Sequence, residues 1–149
     1  MTGRASPRYA ADVPELKPTL VEREDVAVLC KTAADDLTAI RDCWVELEQR
    51  VGSLRGRHFY GVADPPAGWY RACVQMREGD LPEELGLELW SLPGGRYLRT
   101  RLRGEPPGVY DLIGPTFEEL AKLADVDPER PWIEAYRRQN LIDLLVPVV

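Results

Sequence analysis

Apolar residues recur at spacings of three and four along one stretch of the chain, which predicts an amphipathic helix. Asp35 and Asp36 precede this stretch as candidate N-caps, and Gly52 follows it. The apolar stripe comprises Leu37, Ile40, Trp44, Leu47 and Val51.

Shorter apolar and aromatic runs, bounded by turn-forming residues, predict β-strands on both sides of that helix. A polar linker at 77–84 divides the strands into two groups, and a second helical stretch follows at 109–124. Gly114 and Pro115 interrupt this second stretch, so its helix either kinks there or begins at Pro115 after a separate turn over 107–113, and we favour the second. The predicted strand regions are residues 19–31 (two segments), 58–64, 68–76, 85–102 (two segments), 132–138 and 141–148.

The order of these elements recurs at an offset of about 70 residues, by pattern rather than by identical residues. A chance likeness between halves of an α+β chain is the alternative explanation. We predict an α+β fold of two pseudo-symmetric β-α-β-β units, with halves at about 16–78 and 85–149. Because the strands are too close in sequence for crossover helices, the sheet should be mainly antiparallel, with both helices on one side. Residues 1–15 are predicted to be a flexible N-terminal leader to a single domain at 16–149.

Composition narrows the functional classes. The 149 residues carry a net charge of −6, and an acidic surface repels nucleic-acid backbones, so we expect no direct nucleic-acid binding. Three scattered cysteines and one histidine fit no common zinc pattern, so neither a metal nor another cofactor is expected. No apolar run is long enough for a membrane span or a secretion signal, which predicts a cytoplasmic protein with buried, reduced thiols.

Candidate chemistry is concentrated in one predicted strand. Alternation places Trp132, Glu134 and Tyr136 on one face and Ile133 and Ala135 on the other. If the first face is exposed, Glu134 is an ordinary solvated residue. If it lines a cleft, a carboxylate between two aromatic rings is typical of a site for an aromatic or cationic organic molecule. Partial desolvation would also raise the pKa of Glu134 and suit it to general acid or base catalysis.

Several short motifs, taken in order, resemble the GyrI-like small-molecule-binding domain, which is also the effector-binding domain of AraC-type and multidrug-responsive regulators. They are YGV (60–62), YRACVQM (70–76), GLELWSLPGGRY (86–97), a GEP bend (104–106), WIEAY (132–136) and LLVPV (144–148). The resemblance extends over about 16–149 and implies the same α+β architecture, with a ligand cleft. It also implies that Glu134 is the ligand-contacting carboxylate, and strand parity adds Trp132, Tyr136, Tyr60 and Trp90 as candidate aromatic contacts.

The resemblance leaves three functions open. The first, which we favour, is a stand-alone protein that binds a bulky aromatic, and in some cases cationic, small molecule at Glu134. The second is a hydrolase of cyclopropanoid genotoxins in which Glu134 is the catalytic residue. The third is a protein-interaction module such as a gyrase inhibitor. Regulators of the family carry a further DNA-binding domain, for which the predicted leader is too short. The residues do not decide between a monomer and a homodimer.

Overall fold

The fold is described from a computed structural model that covers residues 13–52 and 56–149. Most of the predicted leader at 1–15 therefore lies outside the described residues. Within the described part of the chain, no helix has the length and apolar character that crossing a bilayer requires.

Eight strands form one sheet in which every pairing is antiparallel, as the sequence predicts. The strands are β1 (Thr19–Arg23), β2 (Val26–Ala34), β3 (Phe59–Asp64), β4 (Trp69–Gln75), β5 (Glu88–Leu92), β6 (Gly95–Arg103), β7 (Trp132–Arg138) and β8 (Leu141–Pro147). The helices are α1 (Leu37–Val51), α2 (Pro82–Leu85) and α3 (Ile113–Ala121), and a 3₁₀ turn covers Gly108–Leu112.

The order of the strands in the sheet is symmetric. It runs β1-β6-β8-β7-β3-β4-β2-β5. Exchanging β1 with β5, β2 with β6, β3 with β7 and β4 with β8 reverses this order and leaves it otherwise unchanged. Each half contains one strand more than a β-α-β-β unit, and that strand, β1 or β5, pairs with a strand of the other half. The two halves therefore meet at β3 and β7 and also exchange their first strands.

The long helix α1 begins where the sequence predicts. The Asp36 side chain accepts a hydrogen bond from the backbone N–H of Ala39 at 2.8 Å, which satisfies one of the unpaired donors of the first turn. Cys43 and Leu47 are buried against the sheet, whereas Leu37, in the first turn, is 81% exposed.

Two elements differ from the sequence-based expectation. Helix α3 begins at Ile113, two residues before the expected start at Pro115, although a separate 3₁₀ turn does precede it. Pro115 is tolerated because backbone N–H groups in the first turn of a helix have no partner within the helix. The linker predicted at 77–84 also includes the start of a short helix, α2, which begins at Pro82.

The two faces of the sheet are buried differently. Both α1 and α3 lie on one face, which we call the helix face, and each covers a separate apolar cluster there. On the opposite face, buried side chains from seven of the eight strands form one cluster that contains no helix residue. These side chains pack on each other because the sheet curls. The three cysteines are buried and free, with Cys30 and Cys73 on that face and Cys43 on the side of α1 that packs against the sheet.

Candidate functional site

Strand β7 places Glu134 on the helix face of the sheet, between the regions covered by α1 and α3. Trp132 and Tyr136 pack with the cluster under α3, whereas Ile133 and Ala135 pack on the opposite face. The residue opposite Glu134 on β3 is Gly61, in the middle pair of the five that join the two strands. The predicted alternation along this strand therefore agrees with the structure, and Glu134 lies at the junction of the two halves.

Two tyrosine hydroxyls hold the Glu134 carboxylate. The Tyr136 hydroxyl donates to Oε1 at 2.6 Å, and the Tyr70 hydroxyl donates to the same oxygen at 3.0 Å. Trp44, on α1, donates its indole N–H to the Tyr70 oxygen at 3.1 Å. The second carboxylate oxygen, Oε2, has no hydrogen bond with the described residues. The carboxylate thus has one oxygen fixed by the protein and one left for another partner.

The charge environment of Glu134 is unusual for a buried acid. The residue is 7% exposed, and no ion pair with any described lysine or arginine compensates its charge. Burial raises the pKa of its carboxyl group, the two tyrosine hydroxyls lower it in part, and the negative charge of Asp35 raises it further. The ionised form is therefore stabilised by neutral donors alone.

The same burial keeps the two hydroxyls protonated. It raises the pKa of Tyr70 and that of Tyr136 well above the ordinary value, and the nearby Glu134 charge adds to the effect. Both side chains therefore remain hydrogen-bond donors to the carboxylate throughout the physiological pH range.

Aromatic rings surround the carboxylate. The Trp44 ring meets the Tyr136 ring edge to face at 5.6 Å between centroids and also contacts Phe59 at 6.2 Å. Toward α3, Trp132 packs on Phe117 at 5.4 Å. Rings of this kind offer faces on which a flat organic molecule stacks or over which a cation lies.

Tyr60 and Trp90, the other predicted aromatic contacts, lie away from Glu134. Tyr60 pairs with Ala135, so its side chain points to the face opposite Glu134. Trp90 packs against that same face, where the Arg71 guanidinium lies 4.4 Å from its ring centroid. The structure brings Trp132 and Tyr136 to the side of the sheet that carries Glu134, but not these two residues.

Sequence reasoning missed Tyr70 and included Trp44 only in the apolar stripe of the first helix. Tyr70 lies on β4, and its closeness to Glu134 depends on the pairing of β3 with both β4 and β7, which no local pattern reveals. Trp44 does lie on the apolar stripe of its helix. The hydrogen bond from its indole N–H to the Tyr70 hydroxyl shows that its surroundings are partly polar.

Gly61 provides the space for this arrangement. A Cβ atom at this position would overlap the Tyr70 hydroxyl and Oε1 of Glu134. The close approach of the tyrosine and the carboxylate therefore requires a glycine on the facing strand.

Glu134 is covered in this conformation, with 7% of its surface exposed. A surface cavity of about 540 Å³ lies at the bend between β1 and β2, and another of about 300 Å³ lies beside Leu20 and Leu123; neither includes Glu134. The described residues contain no group of three or more potential metal ligands. A large molecule would reach Glu134 only if the covering side chains moved.

Replacing Gly61 with alanine should lower the free energy of unfolding by about 1–3 kcal/mol, because the added methyl group forces the tyrosine and carboxylate apart. Urea unfolding measures this change. Gly108→Ala is the control, since a Cβ there meets nothing within 4 Å, and it should change stability by less than about 0.5 kcal/mol. Equal effects of the two substitutions would contradict the proposed crowding.

Glu134→Gln should change how stability depends on pH. Because the folded protein holds the Glu134 proton more tightly than the unfolded chain does, wild-type stability should fall as the pH rises from the ordinary carboxyl value of 4.5 through the raised one. The glutamine side chain has no charge to bury and keeps an oxygen for the hydroxyl donors. The variant should therefore be as stable as the wild type in acid and more stable near neutral pH, as measured by urea unfolding across that range. A difference that is independent of pH would argue against a raised pKa.

No family model and no curated protein matches the chain. Among solved structures, the C-terminal domain of EcmrR matches 91% of this chain and 99% of its own, with a TM-score of 0.66 and 10% identity. The integron cassette protein VCH_CASS2 of Vibrio cholerae matches 90% of this chain and 97% of its own, with a TM-score of 0.65 and 15% identity.

A third similar structure was solved with a ligand. SAV2435, bound to tetraphenylphosphonium, matches 89% of this chain and 94% of its own, with a TM-score of 0.60 and 13% identity. All three are GyrI-like folds, as the order of motifs in the sequence suggests. The chain described here therefore has the fold of the GyrI-like small-molecule-binding domains.

Proposed function

We propose that this protein binds a bulky, aromatic, cationic small molecule, with Glu134 as the countercharge. The observation that carries the proposal is a buried carboxylate that no described lysine or arginine neutralises. Burying an unpaired charge is strongly unfavourable, and a protein retains such a group where a partner of opposite charge arrives. Here the missing partner is a cation.

The surroundings of Glu134 favour an organic cation over a hydrated metal ion. The groups next to the carboxylate are the hydroxyls of Tyr70 and Tyr136 and the indole of Trp44, which supply ring faces but few oxygen ligands. A large cation with a delocalised charge loses little hydration on burial and gains contact with those rings. The free oxygen Oε2 contacts the cation, and the hydrogen bonds to Oε1 stay in place.

Access of the ligand requires rearrangement on the helix face. Trp44 contacts Tyr136 and Phe59 and bonds to Tyr70, so it is the side chain of α1 that most directly covers the carboxylate. An aromatic ligand replaces these ring contacts with its own, which limits the free energy needed to open the site.

The likeness to SAV2435 supports the choice of ligand class. That protein was solved with tetraphenylphosphonium, a bulky cation with four aromatic rings and no hydrogen-bond donor. The proposed site here has the complementary features, since it presents a carboxylate and aromatic side chains.

Tetraphenylphosphonium should bind the wild type saturably and should bind Glu134→Gln about tenfold more weakly or worse, because the variant has lost its countercharge. Quenching of tryptophan fluorescence follows the titration, since Trp44 and Trp132 lie in the same part of the molecule. Triphenylphosphine oxide, which is neutral, should bind both proteins equally.

The matched control removes the same charge from an exposed position. Glu105→Gln should bind tetraphenylphosphonium as the wild type does. Equal affinities of the wild type and Glu134→Gln for the cation would refute the role given to Glu134, and a weakening in both variants would reduce it to a general effect of net charge.

A second function is favoured by the raised pKa of Glu134. A carboxyl group whose pKa is raised by burial keeps its proton to a higher pH than an ordinary carboxyl group and can act as a general acid, and the aromatic walls would orient a flat substrate, as in the cyclopropanoid hydrolases considered from the sequence. A hydrolase would convert many equivalents of a cyclopropane-containing electrophile per protein, and its rate would fall as the pH rises through the raised pKa. Product formation that stops at one equivalent, or that persists in Glu134→Gln, would rule this function out.

A further inference from the structure

We propose that Cys30 and Cys73 form a modification site, at which a hydroperoxide converts the two thiols into a reversible disulfide that links β2 to β4. The two cysteines lie on the face of the sheet opposite Glu134. The inference therefore does not depend on the proposed binding of a ligand at Glu134.

The strand register brings the two thiols together. Cys30 and Cys73 are direct partners in the antiparallel pairing of β2 with β4. Both side chains belong to the same buried cluster, so they point to the same side of the sheet. Direct partners on one face have Cβ atoms about 4.5–5.5 Å apart, which is close to the separation that a disulfide requires.

The backbone hydrogen bonds place this pair at the closer of the two spacings found in an antiparallel ladder. The N–H of Met76 donates to the carbonyl of Ala27 at 2.9 Å, so these two residues form a hydrogen-bonded pair. Hydrogen-bonded and non-hydrogen-bonded pairs alternate, and Cys30 and Cys73 lie three pairs further along. They are therefore a non-hydrogen-bonded pair, whose Cα atoms are about 4.5 Å apart, at the lower end of the range for disulfides.

A disulfide between these positions should be easily reduced. Its Cβ atoms must approach to about 4 Å, closer than in a regular strand pair, so the bond distorts both strands. Strained disulfides are more easily reduced than relaxed structural ones. The pair should therefore be a dithiol at rest and a disulfide only while an oxidant is present.

The position of Cys30 in the sheet makes it the first thiol to meet an oxidant. It lies beside the edge strand β5 and pairs there with the exposed Glu88, in the last pair of that ladder. Cys73 lies one strand further from the edge. Both thiols are buried, at 1% and 0% exposure, so a small oxidant reaches Cys30 when the end of the five-residue edge strand opens.

The surroundings also give the two thiols different acidities. Hydrogen bonding with Cys73 lowers the pKa of Cys30, burial raises it in part, and the positive charge of Arg71 lowers it again. Arg71 is held between Trp69 and Trp90, with its guanidinium 4.4 Å from each ring centroid. Burial raises the pKa of Cys73 well above its ordinary value. Since the thiolate is the nucleophile, Cys30 attacks the oxidant and Cys73 completes the disulfide.

The reaction takes two steps. The Cys30 thiolate, whose proton has passed to solvent, attacks one oxygen of the peroxide; the O–O bond breaks, the other oxygen leaves with a proton, and Cys30 becomes a sulfenic acid. The Cys73 sulfur then attacks the Cys30 sulfur, the S–O bond breaks, and the hydroxide leaves as water with the Cys73 proton. The two thiols lose two electrons, and the peroxide gains them.

Cys43 serves as the internal control. It lies on the opposite side of the sheet, where its thiol donates to the carbonyl of Lys31 at 3.1 Å. It is nearer to Cys30 in sequence than Cys73 is, and closing a shorter loop costs less entropy, so an unfolded chain favours a disulfide between Cys30 and Cys43. Only the folded register favours the disulfide between Cys30 and Cys73.

The experiment treats the reduced, folded protein with hydrogen peroxide and maps disulfides by mass spectrometry of unreduced peptides, with dimedone present in parallel samples to trap sulfenic acid. The wild type is compared with Cys30→Ala, Cys73→Ala and Cys43→Ala, since alanine is small and apolar enough for a buried position. Urea midpoints establish that the variants are folded. Wild type oxidised in concentrated urea provides the unfolded comparison.

We expect the wild type and Cys43→Ala to form the disulfide between Cys30 and Cys73, and dithiothreitol to reverse it. Cys73→Ala should accumulate trapped sulfenic acid at Cys30, and Cys30→Ala should react about tenfold more slowly than the wild type. In urea, the disulfide between Cys30 and Cys43 should predominate.

The map of the folded wild type decides the proposal even where a variant fails to fold. A disulfide that includes Cys43, equal oxidation of the three cysteines, or three intact thiols after peroxide treatment would overturn the site. Sulfenic acid trapped at Cys73 in place of Cys30 would overturn the order of attack.

Discussion

The arrangement of the helix face depends on burying most of the Glu134 carboxylate without a counterion. Desolvating a carboxylate is unfavourable by several kcal/mol unless other groups replace the lost water. Here the replacements are the two hydroxyls that donate to Oε1, and they come from different strands, Tyr70 on β4 and Tyr136 on β7. Because β3 lies between those strands, its middle residue must leave room for the Tyr70 hydroxyl and the Glu134 carboxylate, which is the role of Gly61.

Under the proposed function, this arrangement is a compromise between stability and binding. Two hydroxyl donors fix the direction of the carboxylate, yet burial still raises its pKa, so the ionised form is favoured less in the folded protein than in water. A cation at Oε2 would relieve that penalty, and the relief would become part of its binding free energy. The feature that lowers the stability of the unliganded protein is then the one that selects its ligand.

Local patterns in the sequence predict most of the fold but only part of the site. The stripe around Trp44 and the alternation around Glu134 are local, so the helix and the facing of Trp132 and Tyr136 follow from spacing alone. Tyr60 and Trp90 belong to the other face because the register between strands sets their direction, and register is not encoded in any single strand. Tyr70 was missed for the same reason. The start of α3 was predicted two residues too late, at Pro115, because the first helical turn tolerates proline.

The symmetric order of the strands has a consequence for stoichiometry. Glu134 and Gly61 form the middle pair of the join between β3 and β7, so they occupy corresponding places in the two halves. A duplicated architecture would ordinarily offer two copies of any pocket, one per half. Here the two equivalent positions, Gly61 and Glu134, face each other, so a second acidic side chain would overlap the first and repel its charge. The proposed function therefore predicts one ligand per chain, bound on the pseudo-axis between the two halves.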